Sequence, residues 1–434
     1  MVETHTNAAT PRQVTVALIG AGDRGQVYTS WIRNNPTRAR LVAVADPLSY
    51  RREIVAQGFD HVARYESWQD MFAQDQPADM VIVATQDALH AQPAIAAAQR
   101  GHAVLLEKPI APTQEECAQI VDIIDETRTI FGICHVLRYT PYTKAVKTVI
   151  ESGVLGSIMD IQHLEPVGWW HQAHSYVRGK WRKEAESSSM LLAKSCHDID
   201  WIRYIADARI TEVSSFGALS HFTRENKPAE AGSATRCTNC AITATCPYSA
   251  EKIYLDGFDR DGYKWPVSVI TEIPTREAVH AALETGPYGR CVYECDNDVV
   301  DHQSVLMKFE TGATATFTMT AFSEQTHRQT RIFGTHGFLE CDGETVRVVD
   351  FRTHDTQISH VGTSGATNAG DGHGGGDAGL MDAFILAVAS GDPGYITSGA
   401  KESLESHLAV FAAEQSRRDG LVHTVPAVTA TLTV

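Results

Sequence analysis

The stretch Val14-Thr-Val-Ala-Leu-Ile-Gly-Ala-Gly-Asp-Arg-Gly25 decides the fold. Val14–Ile19 is a continuous apolar, β-branched run of strand length, and Gly20, Gly22 and Gly25 follow at G-x-G-x-x-G spacing. Alone, that spacing marks only a turn. Here it follows a strand, opens a helix-like segment (Gln26–Asn34) and precedes a second apolar run, Leu41–Ala45, that ends on Asp46. An acidic residue about 20 positions beyond the glycines completes a dinucleotide-binding fingerprint. Gly20 permits the tight turn, Gly22 lets backbone approach a pyrophosphate, and Gly25 lets helix and strand pack closely. The helix start offers unpaired N–H groups and a positive dipole end to phosphates. Asp46 suits ribose hydroxyls and repels a 2′-phosphate, so NAD is expected. Arg51 and Arg52, otherwise a solvated helix start, leave NADP possible.

Working outward, Met80–Ala84, Ala103–Leu106 and Phe131–His135 are further apolar runs, separated by helix-like segments such as Ala94–Arg100. Thr113 and Glu116 form a capping box before a helix that runs to Arg128. Apolar strands alternating with helices predict a parallel sheet buried on both faces. After Pro141 the period changes to two, in Ser157–His163, Glu212–Leu219, Ser304–Glu310 and Thr314–Thr320. That alternation predicts an antiparallel or mixed sheet with one packed face. Ser188–Ile205 reads as one amphipathic helix. The expected architecture is α/β: a Rossmann domain over residues 10–137, then an α/β domain over 138–434 with an open, mostly antiparallel sheet. Two stretches break the pattern. Phe222–Val300 is irregular and reads as a Cys-rich insertion with little core of its own, and Gly362–Asp377 is a glycine-rich loop.

The 434 residues carry 37 Lys plus Arg against 53 Asp plus Glu, a net charge of −16. Such an acidic chain is a poor candidate for nucleic acid or an anionic membrane surface. No apolar run approaches the roughly 20 residues that cross a bilayer. The polar start at Met1–Asn7 lacks the charged and apolar regions of an export signal, and 9 cysteines is an odd count. Reduced thiols or a metal site, in a cytoplasmic protein, are therefore expected.

The motifs Gly20–Gly25 (GAGDRG), Ala43–Pro47 (AVADP), Ala84–His90 (ATQDALH), Leu106–Ala111 (LEKPIA) and His197–Asp200 (HDID) resemble the glucose–fructose oxidoreductase/inositol dehydrogenase/rhizopine-catabolism (Gfo/Idh/MocA) family. The resemblance covers essentially the whole chain. It implies NAD(P)-dependent hydride transfer at a secondary hydroxyl of a sugar, sugar derivative or cyclitol, and a dimer or tetramer built on the open sheet. It also implies cofactor contacts from Asp23, Arg24, Thr85, His90, Glu107 and Lys108, beside Gly20, Gly22, Gly25 and Asp46. Lys108 and His197 become the catalytic pair, with the Lys108–Pro109 peptide commonly cis in the family. Many members carry an aspartate four residues before the histidine, where this chain has Ala193. Two other readings follow from the family: a redox-assisted glycosidase or lyase, and a non-enzymatic NAD-dependent regulator.

A neutral imidazole is a suitable base near pH 7, and a lysine ammonium stabilises a developing alkoxide. Lys194, three residues before His197, extends the polar patch. Gly168–Arg178 is dense in rings and donors and reads as a sugar-binding loop. Trp170, His171, His174 and Arg178 there are expected to bind a sugar, together with Arg138 and His373; a core or interface is the alternative for the tryptophans. Cys237-x-x-Cys240, Cys246, Cys291 and Cys295 carry the parts of a four-thiolate site. Structural zinc is expected, with Cys291 or Cys295 as the fourth ligand; an iron–sulfur cluster or free thiols are the alternatives. Cys117, Cys134, Cys196 and Cys341 read as small buried residues.

Overall fold

The computed structural model describes residues 12–74, 78–324, 326–361 and 373–428. The chain divides into two compact units. Of the described residues, the first takes those up to Tyr139 together with Gly375–Leu404, and the second takes Thr140–Gly374 and those from Glu405 onward.

The first unit is built on β1 (Val14–Ile19), β2 (Ala39–Ala45), β3 (Ala63–Tyr65), β4 (Met80–Val83), β5 (Ala103–Leu106) and β6 (Phe131–Ile133). Their order is β3-β2-β1-β4-β5-β6, and every pairing is parallel. This is the doubly wound order, with its switch point between β1 and β4, where such sheets bind ligands outside the carboxyl ends. Val16, Leu18, Met80, Ile82 and Leu105 are fully buried, as a sheet covered on both faces requires. The unit is not one continuous stretch, contrary to the boundary expected at residue 137. Helix Gly376–Ser390 returns to it and inserts Leu380, Met381 and Phe384 into its core. That helix is apolar around most of its circumference, so its pattern shows burial without showing in which core.

The second unit holds β7 (Ile158–Pro166), β8 (Ile210–Ala218), β9 (His302–Phe309), β10 (Thr314–Thr320), β11 (Gln329–Gly334), β12 (Gly337–Cys341), β13 (Thr345–Asp350), β14 (Thr356–His360) and β15 (His423–Thr424). They form one sheet, ordered β14-β13-β12-β11-β7-β10-β9-β8-β15. Only β7 and β10 pair in parallel; the other pairings are antiparallel. On β9, Gln303, Val305, Met307 and Phe309 point inward, while Ser304, Leu306 and Lys308 are exposed. Phe216 and Ile358 are exposed as well.

Three expectations need correction here. Ser188–Ile205 is two helices, Met190–Ala193 and Cys196–Ala206, broken at Lys194–Ser195. Serine side chains compete for backbone partners and favour caps over helix interiors, and Ser189 caps the first piece by accepting from the Leu192 N–H. The insertion does have a core: Phe222, Tyr248, Tyr254, Leu283, Val292 and Tyr293 pack with Ala173 and Val177. Trp169–Arg178, within the stretch expected to be a sugar-binding loop, is a helical turn that continues into π-helical Gln172–Arg178, whose residues are all buried. Of the glycine-rich loop, residues 362–372 lie outside the described residues.

Candidate functional site

The glycine turn sits at the carboxyl end of β1. Gly20 has φ +93°, and a Cβ there would lie 2.4 Å from the Ala84 carbonyl oxygen. A Cβ on Gly25 would lie 2.3 Å from the Gly20 carbonyl oxygen. Gly22 differs: its φ is −72°, and the nearest atom to a Cβ would be Arg51 Nη1, at 3.9 Å. No protein atom crowds that face, which is the face a pyrophosphate needs. Helix Asp23–Asn34 begins directly after Gly22 with no side-chain cap, so its first N–H groups remain for an anion. Asp46 is buried at the end of β2. Its Oδ2 accepts from the Ala21 N–H at 2.8 Å and its Oδ1 from the Leu48 N–H at 2.9 Å. Each carboxylate oxygen can accept more than one hydrogen bond, so Asp46 both shapes the turn and retains acceptor capacity.

Lys108 follows β5, and its peptide bond to Pro109 is cis. Beneath it lies a buried ion cluster. Glu107 Oε1 accepts from Arg24 Nε at 2.5 Å and from the Tyr28 hydroxyl at 2.6 Å, while Oε2 accepts from the Lys108 N–H at 3.1 Å. The Arg24 guanidinium also pairs with Asp377, Nη2 to Oδ1, at 2.5 Å. Burial pushes the Glu107 carboxyl upward, but Arg24 and the Tyr28 hydroxyl outweigh it and hold it below the usual carboxylate range. Arg24 and Glu107 thus serve as the footing of Lys108; their charges are spent on each other and on Asp377. His90 is fully buried; its Nδ1 lies 2.7 Å from the Pro109 carbonyl and its Nε2 3.4 Å from that of Thr85. It ties the Thr85 turn to the Lys108 turn. The Thr85 hydroxyl donates to the Leu89 carbonyl at 3.1 Å, and Asp23 opens the helix after Gly22. Arg138 is buried and donates to the Thr397 carbonyl, an anchoring role in place of the expected sugar contact.

In the second unit, His197 is nearly buried, and its ring centroid lies 5.9 Å from that of His373. Around it runs a charge network that the motifs did not announce. Lys194 Nζ lies 2.9 Å from Glu165 Oε1, and Arg328 Nη2 lies 2.8 Å from Glu165 Oε2. Arg328 Nε also binds Asp198 Oδ1, the carboxylate next to His197 in sequence. His163 Nε2 lies 3.2 Å from the same oxygen, and its Nδ1 lies 2.7 Å from the Thr330 hydroxyl. Burial disfavours the Asp198 charge, yet Arg328 and His163 hold it far below the usual carboxylate range. Two cations and two carboxylates cancel, so Lys194 is fixed as a donor whose charge is already balanced. Although Ala193 replaces an acidic residue, Glu165 brings a carboxylate to Lys194 from β7. One signal was available in the sequence: His163 and Glu165 are two apart on a strand, hence on one face, and that face is otherwise apolar.

The aromatic segment does something other than line an open pocket. His174 Nδ1 lies 2.9 Å from the Tyr254 hydroxyl, and the ring stacks on Tyr288 at 5.0 Å. Burial first, and then the positive charge of Arg178, lower its pKa to about 3. Trp170 packs on Trp265 at 5.2 Å and His171 meets the same ring edge-on at 5.0 Å. Arg178 is spent on the carbonyls of Arg290 and Tyr248, each at 2.7 Å. His174 and Arg178 therefore belong to the core of the insertion, where the sequence had suggested a sugar contact. The five cysteines of the insertion are unpaired. Among the described residues, no group of three or more His, Cys, Asp or Glu side chains is drawn together as a metal site, so the structure does not show the expected zinc cluster. Cys117, Cys134, Cys196 and Cys341 are buried, as expected. Among the described residues no helix is long and apolar enough to cross a membrane.

A nucleotide-type switch point with a lysine beyond β5, joined in one chain to an open-sheet α/β unit, defines an oxidoreductase architecture. The family model for the NAD-binding Rossmann fold of the Gfo/Idh/MocA oxidoreductases matches residues 14–135, and that for their C-terminal α/β domain matches residues 147–422. The chain belongs to this family, and its first unit is the family's NAD-binding Rossmann fold. Among curated relatives, a 2,7-anhydro-N-acetylneuraminate hydratase of Mediterraneibacter gnavus is 30% identical, over 48% of this chain and 53% of its own length. A scyllo-inositol 2-dehydrogenase (NAD(+)) of Bacillus subtilis is 28% identical, over 48% of this chain and 58% of its own. The chain thus spans about half the length of the curated relatives it matches. Among solved structures, levoglucosan dehydrogenase in complex with NADH and L-sorbose superposes with a TM-score of 0.69 at 20% identity, covering 96% of this chain and 100% of the other. At that identity the likeness establishes the fold.

Proposed function

We propose that this protein is an NAD-dependent oxidoreductase that moves a hydride between the nicotinamide and a secondary hydroxyl of a sugar, sugar derivative or cyclitol. One observation carries the reading: a glycine turn open at Gly22, with the Asp46 carboxylate behind it, shares a sheet with a lysine that a buried acid, Glu107, holds by its backbone. The turn and the helix start at Asp23 hold the pyrophosphate, and Asp46 takes the ribose hydroxyls and disfavours NADP. When bound, the nicotinamide ring accepts the hydride at C4. Lys108 donates to the reacting hydroxyl and stabilises its developing negative charge, and His197 takes the proton. Lys194, fixed by Glu165, and His373 bind the other hydroxyls.

The named activities of the relatives support the substrate class, since they include inositol, levoglucosan and anhydro-sialic acid enzymes. A second reading stands on the relative named a hydratase: transient oxidation of a ring hydroxyl acidifies the neighbouring C–H, and elimination follows without net NADH. Exposed Phe216, Leu306 and Ile358 favour a homo-oligomer through the open sheet face. Unpaired cysteines favour a reducing compartment, the cytoplasm. We also ascribe a structural zinc to the insertion, outside the reaction path.

The test is absorbance at 340 nm with NAD against polyols, sugar acids, inositols and glycosides, with mass spectrometry of the products. A rise with a polyol supports the dehydrogenase. Product from a glycoside without NADH moves the protein to the second reading. Silence on both, with NAD bound, refutes an enzyme acting on these classes and leaves an NAD-dependent regulator.

A further inference from the structure

Cys237, Cys240, Cys246 and Cys291 line one cavity in the second unit, together with Arg178, Tyr248 and Tyr293. The cavity holds about 20 Å³ of space for a water-sized sphere. That is room for roughly one water or one ion. The Arg178 side chain reaches the same cavity. It is 1% exposed, and its Nη1 has no hydrogen-bond partner. Its Nη2 donates to the Tyr248 carbonyl at 2.7 Å and lies 3.5 Å from Cys237 Sγ. Among the described residues no carboxylate forms an ion pair with it; burial disfavours its charge, and the groups that favour it are Cys237, Tyr254, Cys295 and Cys291.

A buried guanidinium that meets only neutral groups is strongly destabilising. Here the side chains able to supply the missing negative charge are thiols, which are neutral until they ligate a cation. Resting on the zinc reading above, we propose that Cys237, Cys240, Cys246 and Cys291 bind one divalent, thiophilic cation and that Arg178 is the built-in counter-charge of the resulting thiolate centre. Binding breaks four S–H bonds, forms four metal–sulfur bonds and releases four protons to solvent. Nothing is oxidised or reduced. A divalent ion with four thiolates carries two negative charges, and Arg178 offsets one of them.

The fourth ligand is Cys291. Cys295 does not line the cavity; its thiol donates to the Cys291 carbonyl at 3.3 Å. The site is four-coordinate and closed, and it pins the Cys237–Cys246 loop and the Cys291 turn to the buried helical segment that carries Arg178.

The experiment measures metal in the purified full chain by plasma mass spectrometry. Zinc release is then followed colorimetrically under a thiol-blocking mercurial, and cobalt(II) replaces zinc for spectroscopy. One zinc per chain is expected, with thiolate-to-cobalt charge-transfer absorption in the substituted protein. Cys291→Ser loses the metal; Cys295→Ser keeps it. Arg178→Met weakens zinc binding by roughly tenfold or more, as expected for an outer partner of metal ligands, while Arg178→Lys restores much of it. NAD affinity, read in the same samples, reports that the first unit remains folded. A full chain that carries no metal, takes up neither zinc nor cobalt and exposes all its thiols to titration overturns the zinc reading and this inference together. Stoichiometric zinc that Arg178→Met leaves unchanged overturns the counter-charge alone. Zinc retained in Cys291→Ser and lost in Cys295→Ser overturns the ligand assignment.

Discussion

Substituting alanine at each glycine of the turn separates folding from cofactor binding. At Gly22 the backbone lies at φ −72°, which alanine adopts without strain, and the nearest atom to the new Cβ is 3.9 Å away. Lower unfolded-state entropy then gains about 0.4–1 kcal/mol, offset by about 0.5–1 kcal/mol because alanine is a poorer helix N-cap than glycine. Net stability therefore changes by less than about 1 kcal/mol, or under about 4 °C in Tm for a unit of this size. The methyl group projects where the pyrophosphate must approach, so the Kd for NAD rises at least tenfold, about 1.4 kcal/mol. At Gly25 the Cβ would lie 2.3 Å from the Gly20 carbonyl oxygen. Overpacking against backbone costs about 1–3 kcal/mol or more, and Gly20→Ala adds the strain of φ +93°. Thermal unfolding by circular dichroism and NAD titration by calorimetry read the two quantities separately. Wild-type NAD affinity in Gly22→Ala would remove the pyrophosphate from this turn. A Gly22→Ala protein as unstable as Gly25→Ala would refute the steric argument.

Replacing Lys108 with methionine should lower the hydride-transfer rate about 10²–10⁴-fold while the Kd for NAD moves only a few-fold; single-turnover kinetics at wild-type rate would end its catalytic assignment. Asp198 has a depressed folded-state pKa, so its contribution to stability is present above the unfolded value of about 3.9 and is lost as pH falls below it. Denaturant titrations of wild type and Asp198→Asn should differ by about 3 kcal/mol at pH 7 and converge at the acid end; a pH-independent gap would show that ionisation is not involved. His174→Gln should leave substrate KM unchanged and cost about 1–3 kcal/mol of stability through its lost partner Tyr254. A large KM effect with intact stability would return His174 to the substrate site.

The first unit was legible because its signals are local. A buried strand, a glycine turn and an acidic strand end follow one another within a few dozen residues, and each has a steric or electrostatic reason that precedes tertiary structure. The alternation of β9 and β10 was legible for the same reason, since inward and outward side chains alternate whichever strand lies alongside. Composition misled at Trp169–Arg178: two histidines and an arginine among tryptophans resemble a sugar site. His174 and Arg178 find partners in Tyr254, Arg290 and Tyr248, which are 70 to 112 residues away in the chain.

By itself the sequence determined the α/β class and put the glycine turn and Asp46 at successive strand ends, because spacing along one strand or turn suffices for each; Lys108 and His197 were singled out by the family resemblance. Tertiary structure alone decided which charges are spent. It paired Arg24 with Glu107 and Asp377, Lys194 with Glu165, and Arg328 with Asp198. It also sent helix Gly376–Ser390 back to the first core and surrounded Arg178 with thiols. These are contacts between distant segments, and their energies depend on burial and on the partner found there, which no periodicity in the chain encodes.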